Sequence, residues 1–196
     1  GGLVLNMSTF LMQPGEALEL RNFEPDIQGG YRRINGFSKY VSAIVPQTSS
    51  SSEKVLMVAS FADVVLAARG TSIYSATPGG SSWTSRDSGR TSASKYNFER
   101  FNFDGTDKIV VVDGVNAPTV FNTSLAATDV SESAVAGAKF VTSFKGHMFY
   151  AGMSSTPEEL VFSSPFNEDD FQSGQGAGSI KVDDIIVGIK TFRENL

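Results

Sequence analysis

Cysteine is absent from this chain, histidine and tryptophan occur once each, and no apolar run approaches the length needed to cross a bilayer. Without cysteine there is no disulfide, no thiolate nucleophile and no zinc site built on sulfur; with a single imidazole, a metal could enter only through carboxylates. A membrane-spanning helix needs roughly 20 consecutive apolar residues, and no charged region followed by an apolar core opens the sequence as in a signal peptide. Cations are scarce as well, with 16 Lys and Arg against 21 Asp and Glu and a formal net charge of -5. Sequence-specific or tight nucleic-acid binding draws on clustered Lys and Arg, so that class is set aside. An acidic surface does suit a conduit along which DNA slides without sticking, because like charges repel.

What is present is the composition of a folded β protein. The 196 residues are 40% hydrophobic and 11% aromatic, fifteen of them phenylalanine, enough to bury a core. Helical periodicity is almost missing, whereas short β-branched and aromatic runs recur between Gly, Ser, Asn and Asp. Strands are expected at Val55–Ala59, Val64–Ala68, Ser72–Ala76, Ile109–Asp113, Thr119–Asn122, Phe140–Phe144, His147–Ala151, Leu160–Ser163 and Ile185–Thr191. The alanine-rich Leu125–Val135 is expected to be helical or irregular. "QTSSSSEK", Gln47 to Lys54, reads as a flexible linker. It separates an N-terminal segment, residues 1–46, from a strand-rich body, residues 55–196. The opening Gly1-Gly2 lacks an initiator methionine and the closing "IVGIKTFRENL" carries a strand pattern, so the chain reads as a piece of a longer polypeptide.

Three stretches of the body superimpose: "VVLAARGTSIYSA" from Val64, "KIVVVDGVNAPTVFN" from Lys108 and "HMFYAGMSSTPEELVFSSP" from His147. Each is an apolar strand, a turn with Gly, Asn or Pro, and a second strand ending in an aromatic. Those aromatics, Tyr74, Phe121 and Phe162, lie 47 and 41 residues apart, a period of about 40–50 that is the spacing of β-propeller blades. A further strand precedes each hairpin, in "VLMVASFAD", "FERFNFDGT" and "AKFVTSFKG". "DIIVGIKTFRENL" reads as the start of a fourth unit, its "IKTFREN" matching "VTSFKGH". The expected fold is therefore all-β, with about three propeller-like blades and the start of a fourth, part of a larger propeller. Val55, Met57, Ile185, Val187 and Ile189, on the first and last units, are expected to face water in the isolated chain.

His147 falls where the other units have Val64 or Lys108, so no histidine is required there, and it reads as a strand residue after a turn glycine. "SRDSGRTS" matches an Asp box at Ser85, Asp87, Gly89 and Thr91, with Ser92 in the place of tryptophan; Asp87 and Gly89 are candidates for a structural turn. "GQGAG", Gly174 to Gly178, lacks the Lys-Ser/Thr of a phosphate loop and reads as a loop tip. "NEDDF", Asn167 to Phe171, and Asp183-Asp184 lack calcium-loop spacing and read as solvated turns. No catalytic residue, metal site or cofactor is expected. "GGYRRINGF", Gly29 to Phe37, gathers arginines and aromatics around an Asn-Gly turn. Tyr31, Arg32, Arg33, Phe37 and Tyr40 are the candidate assembly interface, since such residues are enriched at protein interfaces.

"LRNFEPDIQGGYRRINGFSKY", Leu20 to Tyr40, with "VDGVNAPTVFN" and "IVGIKTFRENL", resembles tail proteins of tailed bacteriophages, in particular the nozzle or hub proteins of short-tailed phages. The resemblance implies a non-enzymatic virion component, homo-oligomeric in a ring around the DNA exit channel. Its implied partners are other tail proteins, such as adaptor or portal-proximal proteins and fibres, and passing phage DNA bound without sequence specificity. The length departs from the pattern, because a closed propeller holds more blades than fit here. A rival reading is a glycan-binding or glycan-hydrolysing Asp-box propeller, resting on the incomplete Asp box and on Trp83, Tyr74 and Tyr96; its candidate arginines are Arg86, Arg90 and Arg100. Those arginines lie close together in sequence, whereas such sites gather residues from separate blades.

Overall fold

The computed structural model describes residues 3–5, 7–47 and 52–192. The chain divides into two compact units, Gly1–Lys39 and Tyr40–Leu196. The division falls at Lys39, ahead of the serine tract; residues 48–51 of that tract lie outside the described residues.

The first unit has a short 3-10 turn, Thr9–Leu11, and one hairpin of β1 (Phe23–Pro25) and β2 (Tyr31–Arg33), with Phe23 opposite Arg33. The sequence pattern points to a turn at Asn35-Gly36; the chain reverses at Asp26–Gly30 instead. The Asp26 carboxylate accepts from the Gln28 amide, and the Asp26 amide donates to Gly30. Gly29 and Gly30 take φ of 91° and 86°, which costs glycine nothing and other residues about 1 kcal/mol or more. Among the described residues of this unit none is buried.

The second unit is all-β, three antiparallel sheets of four strands in simple up-and-down order. The first holds β3 (Val55–Phe61), β4 (Val64–Arg69), β5 (Ser72–Ala76) and β6 (Thr84–Ser88). The second holds β7 (Asn97–Asn102), β8 (Asp107–Val112), β9 (Thr119–Asn122) and β10 (Ala127–Asp129). The third holds β11 (Phe140–Phe144), β12 (His147–Ala151), β13 (Glu159–Phe162) and β14 (Gly178–Lys181). The superimposed stretches are the second and third strands of successive sheets, with Tyr74, Phe121 and Phe162 on β5, β9 and β13. Two-residue turns close the first hairpin of sheets one and three: Ala62-Asp63 and Lys145-Gly146 have positive φ throughout, the type I′ geometry that matches strand twist.

The sheets pack face on face. Because side chains alternate across a strand, Ile109, Val111 and Phe121 of the middle sheet meet Met57, Phe61, Leu66 and Ile73 of the first. Val110, Val112 and Val120 on the opposite side meet Val141, Met148, Tyr150 and Val161 of the third. This is why Ile109–Val112 is an unbroken apolar run: the strand is buried on both faces. Met57 belongs to this interior at 5% exposure and does not face water as its sequence position suggests, while Val55, Ile185 and Val187 are exposed.

Leu125–Val135 is not helical along its length but contains β10 and a 3-10 turn at Ser133–Val135. Its polar alanine-rich sequence fits an outer edge strand whose three residues are all exposed. Ile185–Thr191, expected to be a strand, joins no ladder. Thr191 instead lies beside β11, its hydroxyl donating to the Ser143 carbonyl at 2.9 Å. The Ile186 amide donates to the Pro157 carbonyl at 2.9 Å, but no ladder follows from it among the described residues.

Candidate functional site

The densest polar cluster of the second unit sits where the first sheet hands over to the second. Arg90 comes just after β6, and its side chain is 4% exposed. It reaches the carboxylates of Asp87 at 2.7 Å and Asp113 at 2.8 Å, and it also donates to the Thr119 hydroxyl. The Thr119 hydroxyl in turn donates to Asp129 at 2.7 Å. Asp113 and Asn116 come from the DGVN turn between β8 and β9. One Asp113 oxygen accepts from the amides of Val115 and Asn116 at 2.9 and 2.8 Å, and the other takes the Asn116 side-chain amide. Asn116 bonds both backbone groups of Thr91. The turn thus grips the linker emerging from the previous sheet, with the Arg90 guanidinium 5.7 Å from the centre of the Tyr96 ring.

Burial alone would raise the Asp113 pKa, but its bonds from Arg90 and Asn116 outweigh that and hold it below the usual carboxylate range. Burial likewise pulls Arg90 down, yet Asp113 and Asp87 hold it firmly protonated. Burial pushes the Tyr96 hydroxyl up. Arg90 and Asp113 thus stay ionised near neutrality, and their pairing ties the linker after β6 to the turn after β8, although Arg90 Nε and the Tyr96 hydroxyl are buried without a hydrogen-bond partner. Asp87 lies in β6 and Gly89 directly after it at φ 79°, where the chain passes into the linker that Arg90 anchors. In the sequence Arg90 stands out only as a glycan contact. The Asp-Gly-x-Asn of the next unit is the available sign that a buried cation is needed.

His147 opens β12 after the Lys145-Gly146 turn. Its Nδ1 lies 2.6 Å from the Ser163 carbonyl oxygen, which can only accept, so the Nδ1–H donates. The ring packs edge-on against Phe149 and Phe162 at 6.1 and 5.6 Å. Among the described residues no group of three His, Cys, Asp or Glu could hold a metal ion. In the NEDDF turn, read from the sequence as solvated, Glu168 is instead largely buried and pairs with Lys108 of β8 at 2.6 Å, while Asp170 accepts from the Gln172 amide at 2.9 Å. Gly176 of GQGAG ends a 3-10 turn at φ 93°.

Of the groups of the glycan reading, Arg90 and Tyr96 lie against each other. Arg90 and Tyr96 are buried, Arg86 donates to Ser75, Arg100 lies over Phe61, and the Trp83 indole donates to the Ala43 carbonyl at 2.8 Å.

The interface candidates divide between the two units. Tyr31, Arg32 and Arg33 form β2. Arg32 pairs with Glu24 at 2.7 Å across the hairpin, and Tyr31 is half-exposed. Phe37 is 98% exposed, joined by Phe10 at 96% and Ile27 at 99%. Tyr40 belongs to the second unit, where its carbonyl accepts from the Gly79 amide. No family model, curated protein or solved structure matches this chain.

Proposed function

We propose that this chain is a structural component of a bacteriophage virion, of the tail nozzle or hub type, which acts by assembling with copies of itself and with neighbouring tail proteins around the DNA exit channel. In this reading the three four-stranded sheets are blades of a β-propeller-like body. The observation that carries it is the repeated packing, in which consecutive up-and-down sheets share faces in a single direction. That arrangement propagates by adding sheets. The segments that resemble tail proteins fall on its working parts: LRNFEPDIQGGYRRINGFSKY spans the hairpin arm, and VDGVNAPTVFN forms the turn that clasps the Arg90 linker. The net charge of -5 lets DNA pass without adhering. Adaptor or portal-proximal proteins and fibres are the expected neighbours in the virion, and the role requires neither cofactor nor metal. Gold-labelled antibody against this chain, imaged on purified virions by electron microscopy, tests the reading. Label on the tail is expected, and label absent from the tail would sink it.

A further inference from the structure

Two surfaces of the molecule expose apolar side chains to water, one beside the cations Arg33 and Lys39 and the other beside the carboxylates Asp183 and Asp184. One is the Gly1–Lys39 unit, which buries none of its described residues and presents Phe10, Ile27 and Phe37 almost fully to water. An isolated two-stranded hairpin is marginal at best in water, and segments that bury too little apolar surface do not offset their ordering entropy. The unit carries Arg21, Arg32, Arg33 and Lys39 against Glu16, Glu19, Glu24 and Asp26, and Arg21 pairs with Glu19 and Arg32 with Glu24, so its cations at hand for an outside carboxylate are Arg33 and Lys39 at its C-terminal end. Arg33 is exposed and, among the described residues, in no ion pair.

The other surface is the outer edge of the third sheet. β14 is the last strand of its sheet, so one side of its backbone has no strand neighbour. Natural edges are blunted by short, charged or polar strands. β6 (TSRDS) and the exposed three-residue β10 (ATD) obey that rule. β14 (GSIK) is as short, yet its Ile180 is 50% exposed, and just beyond the strand Val182 and Ile185 are 44% and 61% exposed. Around them stand Glu158, Glu159, Asp183 and Asp184, against Lys181, which pairs with Glu158 at 3.7 Å.

We infer that the Gly1–Lys39 unit is an assembly arm that docks on the β14 edge of a second copy, laying apolar side chains on Ile180, Val182 and Ile185 and setting Arg33 and Lys39 against Asp183 and Asp184. The inference rests on the proposed assembly role and names its contact. Arm and edge are different surfaces, so the contact runs head to tail and repeats from copy to copy, as a ring demands.

Charge reversal in the full chain tests it, with sedimentation velocity as the readout and thermal melts as a check on folding. Every substituted side chain is exposed, so at concentrations where wild type is monomeric the second unit of each variant melts as in wild type. Wild type is expected to associate with rising concentration. R33E/K39E and D183K/D184K are each expected to weaken association by roughly tenfold or more, and the chain carrying all four changes is expected to recover it. Wild-type-like association of both double variants would overturn the arm while leaving the assembly role intact. Loss without recovery in the fourfold variant, or altered melts with unaltered mass, would likewise overturn it, the latter because it signals docking within one chain. A wild type that stays monomeric would remove both the arm and the assembly role.

Discussion

Arg90 and Asp113 are the residues on which the junction of the first two sheets turns. Removing one member of a buried pair leaves the other charged and unpaired, which costs about 3–5 kcal/mol. Arg90→Met and Asp113→Asn are each expected to destabilise by about that amount in denaturant unfolding. The double variant should cost less than the sum of the two, because the second change relieves the stranded charge. Because Asp113 titrates below the ordinary carboxylate range in the fold, its share of stability is complete above about pH 4, the unfolded value. That share is lost as pH falls through the folded value, so Asp113→Asn should flatten the acid limb of the stability profile. Arg90's destination cannot be read from the sequence. Its partners Asp113 and Thr119 lie 23 and 29 residues away, and no local pattern announces an ion pair across a linker.

At the scale of the element, legibility tracks burial. The first three strands of each sheet supply the two core clusters and are visible as apolar runs. The outer strands β6, β10 and β14 are short and largely exposed, so periodicity has little to register. Ile185–Thr191 shows the converse, for its apolar alternation fits a strand, yet among the described residues it joins no ladder. Turns carry their own tests. At Gly152, φ is 77° and an added Cβ would come within 2.9 Å of the Phe140 ring. At Gly79, φ is 72° and nothing lies within 4 Å. Gly79→Ala should therefore cost only the left-handed backbone strain, roughly 1 kcal/mol. Gly152→Ala should cost more, roughly 2–3 kcal/mol, because an overpacked contact is added. Comparing their denaturation midpoints checks the difference.

For the whole molecule the governing fact is directional packing. The middle sheet is covered on both faces by its neighbours, whereas the third offers the apolar β14 edge and the first unit offers exposed Phe10, Ile27 and Phe37. Repeat architectures draw much of their stability from neighbours, and exposed edges invite pairing. The repeat itself is readable from the spacing of Tyr74, Phe121 and Phe162; the arm's lack of a core is not, because Phe10, Ile27 and Phe37 look like core residues in a sequence. The central claim is that this chain works by assembling. Light scattering on the size-fractionated 196-residue protein, with a thermal melt of the same fractions, tests it most directly. The account predicts a mass that rises with concentration above that of a single 20.9 kDa chain, with thermal stability rising alongside it. A monomer at every concentration that melts cooperatively above about 60 °C, the upper end for mesophile domains, would contradict it.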